Sequence, residues 1–340
     1  MGITLLARIE KVKSPRKTVL TVVQFILGVI IIIILLHQAN MPETIGALIK
    51  ADIRYVVTGS LLIITASMMI ALSFYFILTV LKYRVSFSSC VQANFAGQLA
   101  SDLTPGRAGY FITPFIMGAL SKTPVEPCAV ATVVSGMVDF FIRAFLTVIS
   151  IVYLIGPVES ISGVQWIVAT SAFILATSAV FFAVLLWSDR PRKLIIKLRG
   201  FKRISQFLDP YVTRFENFQR EGVKAKKSLV PVAFAMLLTS LFDSMALFFF
   251  SLSVGVDLHP ILFIFIYSLV SSFTYLPLTL AGLGVQEGVL AALLQLFGVP
   301  LSHGVSISLL FRFFYTVTDF IGLPPILKIG LSKVFDKTQM

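Results

Sequence analysis

The sequence predicts an all-α fold: a polytopic helical membrane protein with about six full spans and two re-entrant hairpins. Three observations carry that prediction. Apolar residues make up 57% of the 340 and charged residues only 13%, with a mean hydropathy of +0.94. That balance calls for lipid rather than an aqueous core around several segments. The apolar residues fall in continuous runs of about 20, the length that crosses a bilayer as a helix, and not in the alternating pattern of barrel strands. Two further apolar stretches are cut by proline and glycine, as broken helices are.

The elements follow in order. Arg8, Lys11, Lys13, Arg16 and Lys17 precede an apolar run from Val19 to Leu36 that lacks a small-x-small cleavage site. A first, uncleaved span is therefore expected over 18–36. Further spans are expected over 54–81, 128–155, 164–187, 229–255 and 303–327. The interrupted segments are 85–126 and 258–302, and residues 1–340 read as a single integral membrane domain. Cys90 and Cys128 are too few for a disulfide framework and suggest neither a redox nor a metal role.

The net charge of +12 sits in loops and tails beside apolar runs, which points to a membrane surface rather than to nucleic acid. The N-terminal tail holds five cations, the 188–228 connector twelve and the tail from Lys328 three. All three regions, and so both termini, are expected in the cytoplasm. The 37–53 loop then lies outside despite Lys50. Parity requires 85–126 to enter and leave from the cytoplasmic side and 258–302 from the opposite side.

Residues 54–155 and 229–328 thus share one pattern, span, broken hairpin, span, in opposite orientations. That suggests an inverted repeat, a layout that places substrate near the midplane. In the connector, Phe201, Ile204, Phe207, Leu208, Tyr211, Phe215 and Phe218 recur every three or four residues among charges. They describe an amphipathic helix that either lies on the cytoplasmic leaflet or packs on the protein itself.

The first broken segment contains Asp102-Leu-Thr-Pro105-Gly106-Arg107-Ala-Gly109-Tyr110. Pro105, Gly106 and Gly109 free backbone groups around Arg107. Its planar fork suits a phosphate, or it pairs with Asp102 and holds the hairpin. The second contains Pro277-Leu-Thr-Leu-Ala-Gly282-Leu-Gly284-Val-Gln286-Glu287-Gly288. Glu287 is a counter-charge to Arg107, a proton or cation site, or a cap on the following helix.

Inside the spans, Asp139 and Arg143 stand one turn apart as a local pair. Arg312 has no partner at that spacing and should find one across helices in Glu287, Asp243 or Asp139, while Asp319 completes the set. Three deep arginines face five deep acids, a lining suited to a zwitterionic or phosphate-bearing headgroup, though structural ion pairs would look the same.

At these residues the sequence resembles the flippase-like membrane domain family, known from the membrane half of bacterial lysylphosphatidylglycerol synthases. The resemblance rests on Pro277 to Gly288, on Leu310-Phe-Arg312-Phe-Phe-Tyr315 and on Thr104-Pro-Gly-Arg-Ala-Gly109. It implies a lipid-translocating domain with paired hairpins. Tyr110, Thr113-Pro114 and Ser135-Gly136 depart from the family's usual charged residues, so a different cargo preference is expected. The resemblance does not extend to the soluble aminoacyl-transfer half, so synthase activity is not expected.

The leading functional expectation is a transporter moving a phospholipid or other phosphate-headed lipid, anionic or polyprenyl-phosphate in type, between leaflets of the cell membrane. A secondary transporter of a soluble solute or ion, or a non-catalytic accessory subunit, is the alternative. No catalytic residue, cofactor or metal is expected. His37, His259 and His303 are isolated, and no Walker or His-Glu-x-x-His motif occurs. Self-association into a homo-oligomer is left open.

Overall fold

The computed structural model describes residues 15–104, 107–153, 164–193, 202–274 and 279–338. Thirteen α-helices are labelled among the described residues: α1 (Pro15–Gln38), α2 (Met41–Ile49), α3 (Ile53–Val80), α4 (Phe87–Asp102), α5 (Thr113–Ser121), α6 (Val125–Tyr153), α7 (Val164–Trp187), α8 (Lys202–Ala225), α9 (Leu229–Ser253), α10 (Pro260–Phe273), α11 (Val285–Gln295), α12 (Leu301–Asp319) and α13 (Leu323–Thr338). Five stretches of described helix are long and apolar enough to cross a membrane: Thr21–Gln38, Ile53–Val80, Val125–Tyr153, Val212–Ser253 and Leu301–Gly330. Helix α7 occupies the span expected over 164–187. Residues 154–163, between α6 and α7, lie outside the described residues.

Helices α3 and α9 form the axis of the molecule. Asp52 opens α3 by accepting the backbone N–H of Arg54 with its side chain at 2.9 Å. At 1.5 Å per residue, the 28 residues of α3 extend about 42 Å, enough for a tilted crossing. The Asp52 amide donates to the Ser253 carbonyl at 2.8 Å, and Thr239 Oγ1 donates to the Ala66 carbonyl at 3.4 Å. The start of α3 therefore meets the end of α9, and the pair is antiparallel.

The packing runs opposite to that of a soluble core. Buried positions are rich in hydroxyls, among them Ser67, Ser73, Ser135, Thr147, Thr239, Ser244, Ser268 and Ser306. Bulky residues such as Phe145, Phe173, Phe181, Phe234 and Phe313 face outward. Small side chains let helices approach and exchange hydrogen bonds where lipid offers none. Ser73 and Ser135 hydroxyls meet at 2.6 Å between α3 and α6.

Two apolar clusters lie toward opposite ends of α3. One, with Phe74, Leu78, Cys90, Met117, Val130 and Met236, packs α4 and α5. The other, with Ile63, Phe250, Phe263, Leu290, Leu294 and Phe311, packs α10, α11 and α12. Each interrupted segment thus belongs to a different end of the axis, and the ends of α4 and α10 point back toward the middle.

Three elements are more finely built than the sequence shows. The 37–53 stretch holds the short helix α2, opened by Pro42 near its start, where a missing N–H costs nothing. The last span, expected over 303–327, falls within the stretch Leu301–Gly330. It tightens to 3-10 geometry over Phe320–Gly322 between α12 and α13, because Pro324 and Pro325 lack the amides needed to continue the α-helical pattern. In the connector, Trp187 Nε1 donates to the Gly222 carbonyl at 2.9 Å, and Gln219 Nε2 donates to those of Leu185 and Ser188. The described part of α8 is thereby docked on the protein.

Helix α1 packs against the turn that opens α11. Gly284 has φ +81°, and a Cβ there would lie 2.7 Å from the Gly28 carbonyl and from Ile31 Cβ. Substitution Gly284→Ala combines left-handed strain with this clash. It should lower stability by about 1–3 kcal/mol, read as a lower thermal unfolding midpoint in detergent, while Gly255→Ala, with the same φ sign and open space around it, should lose less.

Candidate functional site

The first break follows α4. Arg107 takes left-handed backbone geometry at φ 57°, which turns its side chain back over the helix it has just left. Its Nε donates to Ser101 Oγ at 2.9 Å, and its Nη2 donates to Gln98 Oε1 at 3.3 Å and to Asp102 Oδ1 at 3.2 Å. Thr104 Oγ1 donates to the Ala100 carbonyl at 3.1 Å and accepts the Gly109 amide at 2.6 Å. A Cβ on Gly109 would sit on the Ala100 carbonyl, so only glycine fits this closure. Tyr110 donates to Asn94 Oδ1, and Asn94 donates to the Ser67 carbonyl, which ties the break to α3. Pro105 and Gly106 lie outside the described residues.

The second break follows α10. Residues 275–278, Pro277 included, lie outside the described residues, and past them Ala281, Gly282 and Gly284 all take positive φ. Glu287, in the first turn of α11, accepts the Gly284 amide on Oε2 at 2.6 Å and Arg312 Nε on Oε1 at 2.5 Å. It is thus both the cap and a counter-charge, but to Arg312 and not to Arg107. Arg312 Nη1 donates to the Ala281 carbonyl at 3.1 Å, and Gln286 Oε1 accepts from Thr274 at 3.3 Å. Gly288 makes only ordinary contacts with Leu35 of α1.

A third group comes from α6, α9 and α10. Arg143 Nε contacts both oxygens of Asp139 at 2.9 and 2.8 Å, the one-turn pair expected from the spacing. Arg143 Nη1 reaches Tyr267 Oη at 3.4 Å, and Tyr267 donates to Asp243 Oδ2 at 2.6 Å. Asp243 therefore finds a tyrosine rather than an arginine, and it is 3% exposed.

All three groups converge on one cavity of about 320 Å³, lined by Asp102, Arg107, Asp139, Arg143, Gln286 and Arg312. Glu287, Asp243 and Asp319 stand behind this lining. Ile174, Leu175, Phe140 and Phe182 give the cavity an apolar side. Arg312 Nη2 is buried and has no hydrogen-bond partner among the described residues, an orphaned donor of the kind that costs about 1–3 kcal/mol or more when charged. Among the described residues, no three of His, Cys, Asp and Glu gather in a way that could hold a metal ion.

Several lining residues escaped the sequence reading: Gln98 and Ser101, Thr274, and the two tyrosines Tyr267 and Tyr315. Part of the signal was present. Asn94, Gln98 and Ser101 recur at helical spacing, as do Arg312, Tyr315 and Asp319, so each set shares one helix face. Of the positions where the sequence departs from the resembled family, Tyr110, Ser135 and Gly136 also line the cavity, and Thr113 and Pro114 do not.

The family described as the lysylphosphatidylglycerol synthase TM region matches residues 21–322. The UPF0104 membrane protein PH1989 of Pyrococcus horikoshii is 24% identical over 306 residues, covering 84% of this chain and 90% of that protein.

Removing one partner of a buried ion pair leaves the other uncompensated. Glu287→Ala should therefore lower stability by about 3 kcal/mol, because the Gly284 amide and Arg312 both lose their acceptor. The double substitution Glu287→Leu with Arg312→Met should recover more than half of that loss, as measured by unfolding in detergent.

Proposed function

The chain belongs to the lysylphosphatidylglycerol synthase TM-region family, and from that membership and the three-arginine cavity we propose that it carries an anionic, phosphate-bearing lipid headgroup across the membrane. The observation that carries this reading is the buried Nη2 of Arg312, a cationic donor without a hydrogen-bond partner among the described residues, on a side chain that lines the cavity together with Arg107 and Arg143. A phosphate oxygen is the acceptor chemistry such a donor lacks. The apolar side formed by Ile174, Leu175 and Phe182 suits the first carbons of an acyl or prenyl chain. A soluble anion would have no use for that wall.

On this reading the two interrupted segments are re-entrant hairpins approaching from opposite leaflets, as halves of an inverted repeat. Their packing at opposite ends of α3 supports it. Both termini and the basic connector lie on the cytoplasmic side, where clustered Lys and Arg attract anionic lipid. The protein performs no chemistry on its cargo. Its arginines exchange carboxylate or hydroxyl partners for phosphate, so the headgroup moves between charges already desolvated.

The test is movement of headgroup-labelled phosphatidylglycerol in proteoliposomes. Wild type should exceed protein-free vesicles. Losing a hydrogen bond to a charged group costs about 1.5–3 kcal/mol, so Arg312→Ala and Arg107→Ala should each cut headgroup affinity roughly tenfold or more at matched reconstitution. If phosphatidylglycerol, its aminoacyl ester and a polyprenyl phosphate all move no faster than in protein-free vesicles, the proposal fails.

A further inference from the structure

Asp319 is 1% exposed at the end of α12, and neither the cavity lining nor the three arginine pairs account for it. The chain just beyond it is pressed against α4: at Gly322 a Cβ would overlap the backbone of Phe95 and Ala96. This close approach brings the Asp319 carboxyl within hydrogen-bonding reach of Asp102. Asp102 Oδ2 and Asp319 Oδ2 are both buried without a hydrogen-bond partner among the described residues. Two acceptors facing each other without a donor repel and leave both unmet. One proton between them satisfies both at once, as in other carboxyl pairs at contact distance.

The groups around the pair do not supply that donor. Arg107 faces it from the first break and holds Asp102 through Oδ1. Asp243 of α9 adds a third carboxyl to the same field, and its Oδ2 accepts from Tyr267. Tyr315, one turn before Asp319, lies under the Arg107 guanidinium at 5.8 Å. Arg143 is engaged by Asp139. Glu287, one candidate for a proton site from the sequence, has both oxygens occupied.

We propose that Asp102 and Asp319 form a proton-binding carboxyl pair, and that its occupancy decides whether Arg107 is held by Asp102 or turns to an anionic headgroup. Without the proton, two negative charges hold the guanidinium. With it, one charge is shared between two residues and the guanidinium is released to phosphate. Proton and headgroup then bind together, one proton for each headgroup carried. The second half of this statement rests on the function proposed above, and the first half does not.

Infrared pH-difference spectra of the full chain in phosphatidylcholine vesicles test the pair directly. Wild type should show a protonated-carboxyl carbonyl band that fades as pH rises, that is lost in both Asp102→Asn and Asp319→Asn, and that persists in Asp319→Glu. Absence of the band in wild type, or its survival in both asparagine variants, overturns the pair. Should those variants not fold, ¹³C labelling of aspartate alone decides. A band that shifts on labelling and is kept in Asp243→Asn supports the pair, and a band that does not shift overturns it. Binding of phosphatidylglycerol across pH tests the coupling. Wild-type affinity should rise by about tenfold as pH falls through the band's titration, the effect of one pKa unit of linkage, and should be flat in Asp319→Asn. A flat wild-type profile overturns the coupling. A titrating band with no lipid bound at any pH leaves the proton site standing and removes the headgroup.

Discussion

A helix that ends in the interior of a membrane protein exposes amides and carbonyls that only the protein can satisfy, and the structure is arranged around two such ends. At the first, Thr104 closes the turn through its hydroxyl and Arg107 folds back on Ser101, Gln98 and Asp102. At the second, Glu287 takes the Gly284 amide while Arg312 takes the Ala281 carbonyl, and the two side chains bind each other. The same charged residues that line the cavity are therefore the ones that hold its walls in place. A ligand drawing on Arg107 or Arg312 competes with the local structure, so binding and rearrangement of a break are physically linked.

That double duty explains a feature of the charge distribution. The three cavity arginines each have a carboxylate partner, Asp102, Asp139 and Glu287, which lowers the cost of placing them in a membrane. The pairs come from three different places: a turn, a single helix, and two consecutive helices. Asp243 and Asp319 remain outside them, one held by a tyrosine and the other facing Asp102.

How much of this was legible in the sequence follows from the range of each interaction. The spans could be read because hydrocarbon imposes a continuous apolar run, and α6 and α9 fall within a few residues of expectation. The Asp139–Arg143 pair could be read because its spacing is one turn. For Arg312 the sequence left three candidates, Glu287, Asp243 and Asp139, and only the fold of the second break decides for Glu287. Tyr267 was invisible because an isolated tyrosine in an apolar helix resembles any interfacial aromatic until its hydroxyl is placed beside Asp243. The 3-10 turn at Phe320–Gly322 was not foreseen because hydropathy ignores Pro324 and Pro325, which remove amides without making the segment polar.

The seating of α1 bears on how the protein is made. Apart from the adjoining α2, α1 packs on α11 and α12, which come from the last quarter of the chain. Its Gly28 carbonyl and Ile31 wait for Gly284. During synthesis the first span must therefore persist alone in the bilayer until nearly everything else has been inserted. Its side chains permit that, since only 11% of the Thr21–Gln38 stretch is buried in the finished protein. The second break is complete only when α1 docks, so the ion-pair pocket forms as one of the last events of assembly rather than with its own hairpin.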